Sequence, residues 1–181
     1  SLGGGVQDGY ARQRQKNKAY ALFGSVNYAV TEQLRVRGGI RYTDDKKDFV
    51  AQRFQSPIGA GTTAPLTANP HDSDTSWDLS ATYAMDKNVN LYARVARGFR
   101  APSIQGRLLF GDSISVANSE KVHSYEAGVK ADLFNRRARL GVGVFRYDVK
   151  DQQLTAVGGQ ANFNRLINAA KSTGQGFEID L

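Results

Sequence analysis

With 181 residues, 40 % of them hydrophobic and 23 % charged, the chain is too apolar to remain disordered, and 19 Gly against one Met disfavour a helical bundle. The lack of Cys removes disulfides, thiolate nucleophiles and Cys-based metal sites, while a formal charge of +7 calls for an anionic partner or a solvated basic surface. No run approaches the ~18 apolar residues of a membrane-spanning helix, which leaves open a barrel whose strands show lipid only at every second residue.

The chain opens Ser1-Leu2-Gly3-Gly4-Gly5, which reads as a processed or engineered start. The first strand is expected over 18–30: Tyr20, Leu22, Gly24, Val26, Tyr28 and Val30 alternate with Ala21, Phe23, Ser25, Asn27 and Ala29. After the short link Thr31-Glu32-Gln33, a second strand is expected over 34–50. Its even positions carry Leu34, Val36, Gly38, Ile40 and Tyr42, and its odd positions carry Arg35, Arg37, Gly39, Arg41 and Thr43. Period-two alternation of this kind means one apolar and one strongly basic face. A third strand follows over 75–86, with Trp77, Leu79, Ala81, Tyr83 and Met85 on one side. The turn Asp86-Lys87-Asn88 leads to a fourth over 89–99, with Val89, Leu91, Ala93 and Val95 against Asn90, Tyr92 and Arg94. Tyr125, Ala127, Val129, Ala131 and Leu133 mark a fifth over 122–133, Leu140, Val142 and Val144 a sixth over 138–150, and Phe177, Ile179 and Leu181 a seventh over 167–181. In the sixth, Phe145, Tyr147 and Val149 take the opposite parity, so a bulge or a rim change is expected there.

The links at 31–33, 86–88 and 134–137 are short, and those near 51–74, 100–121 and 151–166 are long. Short turns on one rim and long loops on the other is the layout of an outer-membrane barrel, with the long loops outside. Tyr20, Tyr28, Tyr42, Trp77 and Tyr83 then belong to the aromatic belts at the membrane interfaces. The competing arrangements are a small eight-stranded structural or adhesive barrel, and a soluble ligand-binding barrel with its apolar face inside. Seven strands leave two unpaired edges, which lipid does not tolerate, so the chain reads as a piece of a larger barrel.

From Leu91 the chain is similar to a known family. Leu91-Tyr92-Ala93-Arg94-Val95-Ala96-Arg97-Gly98-Phe99-Arg100-Ala101-Pro102-Ser103 resembles the strand of TonB-dependent receptors that ends in Gly-aromatic-Arg-Ala-Pro. Glu120 and Ser124-Tyr125-Glu126-Ala127-Gly128-Val129-Lys130 resemble the next strand, followed by Val144-Phe145-Arg146-Tyr147-Asp148, Lys150-Asp151-Gln152, Asn168-Ala169-Ala170 and Gly176-Phe177-Glu178. The resemblance implies an all-β, antiparallel up-and-down meander of about seven strands within a transmembrane β-barrel of about 22 strands. It also implies a place in the cell outer membrane and import of a scarce nutrient, such as a ferric siderophore. The implied partners are outer-membrane lipid and lipopolysaccharide, a small-molecule ligand such as a metal chelate, and a TonB complex that acts through an N-terminal part this chain lacks. Neither a plug domain, a TonB-binding box nor a closing C-terminal aromatic is seen. Residues 1–181 are read as one partial barrel segment.

Arg35, Arg37, Arg41 and Arg94 project from the polar face, the expected lumen, and Arg97, Arg100 and Arg107 stand near the expected outer rim. A positive lumen and mouth attract an anionic chelate or lipopolysaccharide phosphates, and ion pairs with carboxylates of a plug or the wall are the competing use. Nucleic acid is not expected, because aromatics fall mostly on the face opposite the basic residues. His71 and His123 are too few for a metal site, and the acids Asp44, Asp45, Asp48, Asp72 and Asp74 lack calcium-loop spacing. No Gly-x-Ser-x-Gly and no paired carboxylates point to catalysis, and the pairs Gly38-Gly39 and Gly158-Gly159 do not open a helix. No enzyme activity and no cofactor are expected.

Overall fold

The computed structural model describes residues 8–57, 59–109, 111–158 and 163–181; the cluster Gly3–Gly5 and Gly159 lie outside them. Ten strands and no helix form among these residues: β1 (Tyr10–Ala29), β2 (Leu34–Gln55), β3 (Leu66–Ala68), β4 (His71–Ala84), β5 (Val89–Arg100), β6 (Ser103–Gln105), β7 (Ser115–Ala117), β8 (Glu120–Leu133), β9 (Ala138–Gly158) and β10 (Phe163–Asp180). The seven long strands lie side by side in chain order, β1-β2-β4-β5-β8-β9-β10, each antiparallel to the next. β3 adds to β2, β6 and β7 pair with each other, and the main sheet is open at β1 and β10.

The short connections are built from local chemistry. The Thr31 hydroxyl accepts the Leu34 N–H at 2.9 Å, and the Asp86 carboxylate accepts the N–H groups of Asn88 and Val89 at 2.7 and 2.9 Å. Such side-chain-to-backbone bonds fix a tight turn without glycine. At the third turn Phe134, Asn135 and Arg136 all take left-handed φ values of 51, 56 and 67°.

The strands outrun the sequence pattern. β1 begins at Tyr10, β2 runs on to Gln55, β9 reaches Gly158 and β10 begins at Phe163. Most of the stretch 151–166 is therefore paired strand, with 159–162 outside the described residues. Alternation marks only the part of a strand with one apolar face. Beyond it the strict alternation is lost, while the hydrogen-bond ladder continues.

Of the bulge or rim change expected in β9, the bulge is absent. The β8–β9 register is unbroken from Lys121↔Lys150 to Leu133↔Ala138, so the parity change is a change of face. Phe145 and Tyr147 point to the side opposite Val142 and Val144, with their rings over Gly176 and Gly174 of β10.

The register carries one parity across the sheet. Leu22↔Tyr42, Ile40↔Trp77, Leu79↔Val95, Leu91↔Val129 and Val129↔Val142 share one face, and it is uncovered: Leu22 is 78 % and Ile179 62 % exposed. The chain exposes 12638 Å², whereas a compact monomer of its mass exposes about 8,600 Å². The only hydrophobic side chains fully buried among the described residues are Phe49, Ala51, Leu108, Ala117 and Val149. This overturns the soluble barrel with an apolar interior, because the apolar face has no protein partner and the polar face is the concave one.

On the apolar face, the aromatics Tyr20, Tyr42, Trp77, Tyr125 and Phe177 form a staircase. Leu22, not Tyr20, is opposite Tyr42, and Thr75, not Trp77, is opposite it on β4. Each successive aromatic lies two residues further down the ladder, as strands tilted to a membrane require.

Candidate functional site

The face opposite the aromatics carries the arginines. Arg35, Arg37 and Arg41 alternate along β2, and pairing through Ser80 brings Arg94 of β5 into the Arg37 row. That row runs Asn27, Arg37, Ser80, Arg94, Glu126, Phe145 and Gly176 across the sheet. Arg37, Arg41 and Arg94 line a concavity of about 560 Å³, together with Ser76, Asp78 and Ser124. Arg35 lies beyond it, in a neighbouring depression of about 500 Å³ with Asn27 and Thr82.

None of Arg35, Arg37, Arg41 and Arg94 forms an ion pair among the described residues, and all four are exposed. Arg41 donates to the Thr43 hydroxyl at 3.2 Å and lies 5.8 Å from the Phe23 ring centroid. The wall therefore leaves a cluster of positive charge facing the interior, where a low-dielectric wall focuses its field.

The other half of this face has a different chemistry. Tyr92 lies across Gly128 and Gly143, and Phe145 and Tyr147 stack with centroids 6.4 Å apart. A Cβ on Gly128 would meet the Val142 carbonyl oxygen at 2.5 Å and the Tyr92 ring at 2.7 Å. Only glycine admits both the neighbouring strand and the flat ring. Glu126, Glu178 and Asp180 gather here around Lys130, which stands 5.3 Å from the Tyr92 centroid.

The three remaining arginines do not join the concave cluster as equals. Arg97 has the parity of the apolar face and sits where β4 and β5 stop pairing, above Trp77↔Arg97. Its guanidinium grips both Asp74 oxygens at 2.6 and 2.9 Å and also donates to the Thr75 carbonyl that the β5 ladder no longer serves. Burial works against the Asp74 anion, but the Arg97 hydrogen bond, the Thr75 N–H and the charges of Arg97 and Lys121 prevail. They hold its carboxyl below the ordinary value. Arg100 stands 4.0 Å from Glu120 at the end of β5. Arg107 lines a separate depression of about 430 Å³ at the long-loop end, with Gln13, Gln15 and Gln105.

That end holds the residue sequence reasoning missed. Arg53 is 3 % exposed and donates to the carbonyls of Gly61, Leu108 and Gly111 at 3.0, 3.0 and 3.1 Å, and it pairs with Asp112 at 2.5 Å. Phe49 and Ala51 share its parity and pack on Leu108, with Leu66, Ile104 and Ile114 at the margin. The two long connections are thereby folded over the same face as the arginines. The odd-numbered series Arg35, Arg37, Arg41, Phe49, Ala51, Arg53 was the available signal. A second tie is made of amides: Gln153 donates to the carbonyls of Ala101 and Asn118, and Asn168 to those of Asn118 and Asp151. His71 is engaged by Asp44 at 2.9 Å, and no metal-holding group of three His or acidic side chains exists among the described residues.

Comparison with known proteins gives this geometry a family context. The family model described as "TonB dependent receptor-like, beta-barrel" matches residues 1–181. The pesticin receptor of Yersinia pestis is 24 % identical over 162 residues, which cover 88 % of this chain and 23 % of that protein. The pesticin receptor of Yersinia enterocolitica is 23 % identical over the same shares. The chain thus spans about a quarter of the length of the curated relatives it matches. Among solved structures, the ferric yersiniabactin uptake receptor FyuA from Yersinia pestis is similar at a TM-score of 0.75 and 22 % identity, over 93 % of this chain and 24 % of that chain. The ferric-catecholate import receptor Fiu from E. coli K12, in its closed form, gives 0.66 and 19 % over 92 and 25 %.

Proposed function

We propose, from the premise that this chain belongs to the TonB-dependent receptor β-barrel family, that it forms a wall sector of a receptor importing an anionic metal chelate. Proteins of this family are outer-membrane receptors and not enzymes. The uncovered apolar face meets lipid, and the arginine face lines the aqueous interior. Residues 1–181 serve as one barrel segment, with further strands pairing the open edges at β1 and β10, because unsatisfied backbone groups cannot persist in hydrocarbon. A ferric siderophore or similar chelate is the cargo, the relatives named for ferric yersiniabactin and ferric catecholates being the guide to its class. Energy reaches the receptor from a TonB complex through parts of the protein outside this chain.

The observation that carries this reading is the Arg37, Arg41 and Arg94 cluster, which forms no ion pair among the described residues although Asp78 lines the same concavity and Glu126 stands opposite Arg94. Carboxylates and catecholates held to a ferric ion present the anionic oxygens that guanidinium groups bind. Arg107 and Arg100 extend the positive path to the mouth, and Arg97 is held by Asp74 and supports the wall.

The test is ligand binding and uptake by the complete receptor carrying Arg37→Gln and Arg94→Gln. A loss of about tenfold or more in affinity for an anionic ferric chelate, with a neutral chelate unaffected, supports the assignment. Unchanged affinity combined with leakage of large solutes would transfer these arginines to ion pairs with a plug.

A further inference from the structure

The outer stretch of β1 sorts its side chains by charge. Arg12, Arg14, Lys16 and Lys18 share the outward face with Tyr20, while Gln13, Gln15 and Asn17 share the inward face, opposite Ala51, Phe49 and Lys47 of β2. Over 12–18, the side chains turned toward the mouth are all carboxamides, although the stretch itself is strongly basic.

The connection between β5 and β8 completes a depression against this face. Its volume of about 430 Å³ is that of a ligand-sized pocket. Gln105 joins Gln13 and Gln15 in the lining, Arg107 is the one cation, and no carboxylate lines it among the described residues. The Gln15 amide donates to Asn17 at 2.8 Å, whereas the side-chain amides of Gln13 and Gln105 make no hydrogen bond among the described residues. Phe49, Ile104 and Leu109 supply the apolar part of the wall.

The depression is preformed. Gly106 is buried, and the Phe49 ring fills the space a side chain there would need. Gln105 is held in strand pairing with Ser115, and Arg53 holds the carbonyls of Leu108 and Gly111. An entering group therefore meets donors and acceptors that are already ordered, which lowers the entropy cost of binding.

Its chemistry is not that of the arginine concavity. Gln15 lies eight residues before Phe23, the partner of Arg41, a separation of about 27 Å along β1. A carboxamide offers donors and an acceptor together, which suits neighbouring hydroxyls better than an anion. Neighbouring hydroxyls on a ring with an apolar C–H face are the surface of a sugar.

We infer that this depression binds an uncharged sugar ring borne by the cargo, so that the mouth reads a neutral part of the chelate and the arginines read its anionic centre. The inference rests on the chelate import proposed above. Gln13, Gln15 and Gln105 exchange hydrogen bonds with hydroxyl pairs, and the C–H face of the ring lies on Ile104 and Leu109.

The first arm of the test is saturation-transfer NMR on the complete receptor, in a detergent without a sugar headgroup. The probes are methyl glucoside, methyl galactoside and N-acetylglucosamine at millimolar concentration. At least one should give a saturable signal, and Q13A/Q105A should weaken its binding roughly tenfold. Gln13 is exposed, so Q13A alone serves if the double variant folds poorly, with about a threefold loss expected. No signal from any probe, or a signal that neither variant weakens, overturns the site. The second arm uses the R37Q/R94Q receptor, in which the inner cluster is weakened. A ferric tris-catecholate conjugated to the sugar that binds best should bind it roughly tenfold tighter than the same chelate without sugar, and adding Q13A should narrow that gap. Equal binding of the two overturns the cargo as the source and assigns the depression to a free saccharide. Failure of the wild type to bind either chelate removes the import reading instead, while the saccharide signal still decides the site.

Discussion

The inward face is built on two different rules on its two halves. From β2 to β5 it carries Arg35, Arg37, Arg41 and Arg94 over a broad concavity, none of them ion-paired among the described residues. From β8 to β10 it carries Phe145 and Tyr147 laid flat on glycines, with Tyr92 reaching across from β5 and Glu126, Glu178 and Asp180 beside them. Both halves share the same strand geometry and the same apolar outer surface. The difference is that side chains in the second half are fitted to the wall and those in the first are held away from it. Packing against glycine serves the sheet, and unpaired charge serves whatever enters the interior.

Substitutions separate these rules. Gly128→Val in the fitted half should do the most damage, because the new side chain collides with the Val142 carbonyl and the Tyr92 ring. A loss of about 3 kcal/mol is expected, read as little heat-modifiable receptor in the outer membrane. Arg53→Ala comes next. It orphans three loop carbonyls at the long-loop end and should cost about 2–3 kcal/mol locally. Limited proteolysis should then cut the segments 56–65 and 101–114 while the strands remain intact. Arg94→Gln in the open half should change stability by less than about 0.5 kcal/mol, measured as an unchanged unfolding midpoint, even as anionic-ligand binding falls. A large stability loss there would erase the distinction between the halves.

Two smaller effects refine the picture. The Asp74 carboxyl is held below its ordinary value, so the stabilisation it provides is complete above about pH 4 and drains as pH falls through the lowered value. Hydrogen exchange of the β4–β5 end should show this acid loss, and Asp74→Asn should abolish it. Arg136→Gly should stabilise the third short turn by about 1 kcal/mol, since φ is 67° there. Its ion pair with Asp132, at 3.9 Å and largely exposed, contributes little, and thermal unfolding measures the balance.

The span inside the membrane was legible in the sequence because lipid on one side and water on the other imprint period two. Leu34 to Thr43 displays both faces in ten residues, and the seven long strands follow from repeats of that pattern. Above the belt the imprint fades, which is why β1, β2, β9 and β10 run four or more residues past their expected ends. Phe145 and Tyr147 suggested a slip because aromatics were expected on the lipid side. Their partners Gly174 and Gly176 lie some thirty residues away in the chain, and only the register joins them. Arg53 was hidden for the same reason, since its acceptors at Leu108 and Gly111 belong to a distant connection. Arg97 shows the limit of motif reading: its place in the Gly-aromatic-Arg-Ala-Pro strand suggested the mouth, and its parity sends it into the split between β4 and β5.

Everything above depends on the apolar face meeting hydrocarbon and the arginine face meeting water. The chain has no Cys, so single cysteines at Leu79, Val142, Ser80 and Arg94 can each carry a spin label in the complete receptor, any Cys outside this chain being replaced, once it is reconstituted in bilayers. Labels at 79 and 142 should relax with oxygen dissolved in lipid, and labels at 80 and 94 with a water-soluble nickel chelate. The opposite pattern, with 79 and 142 shielded from lipid, would place the apolar face in a protein core and contradict this arrangement.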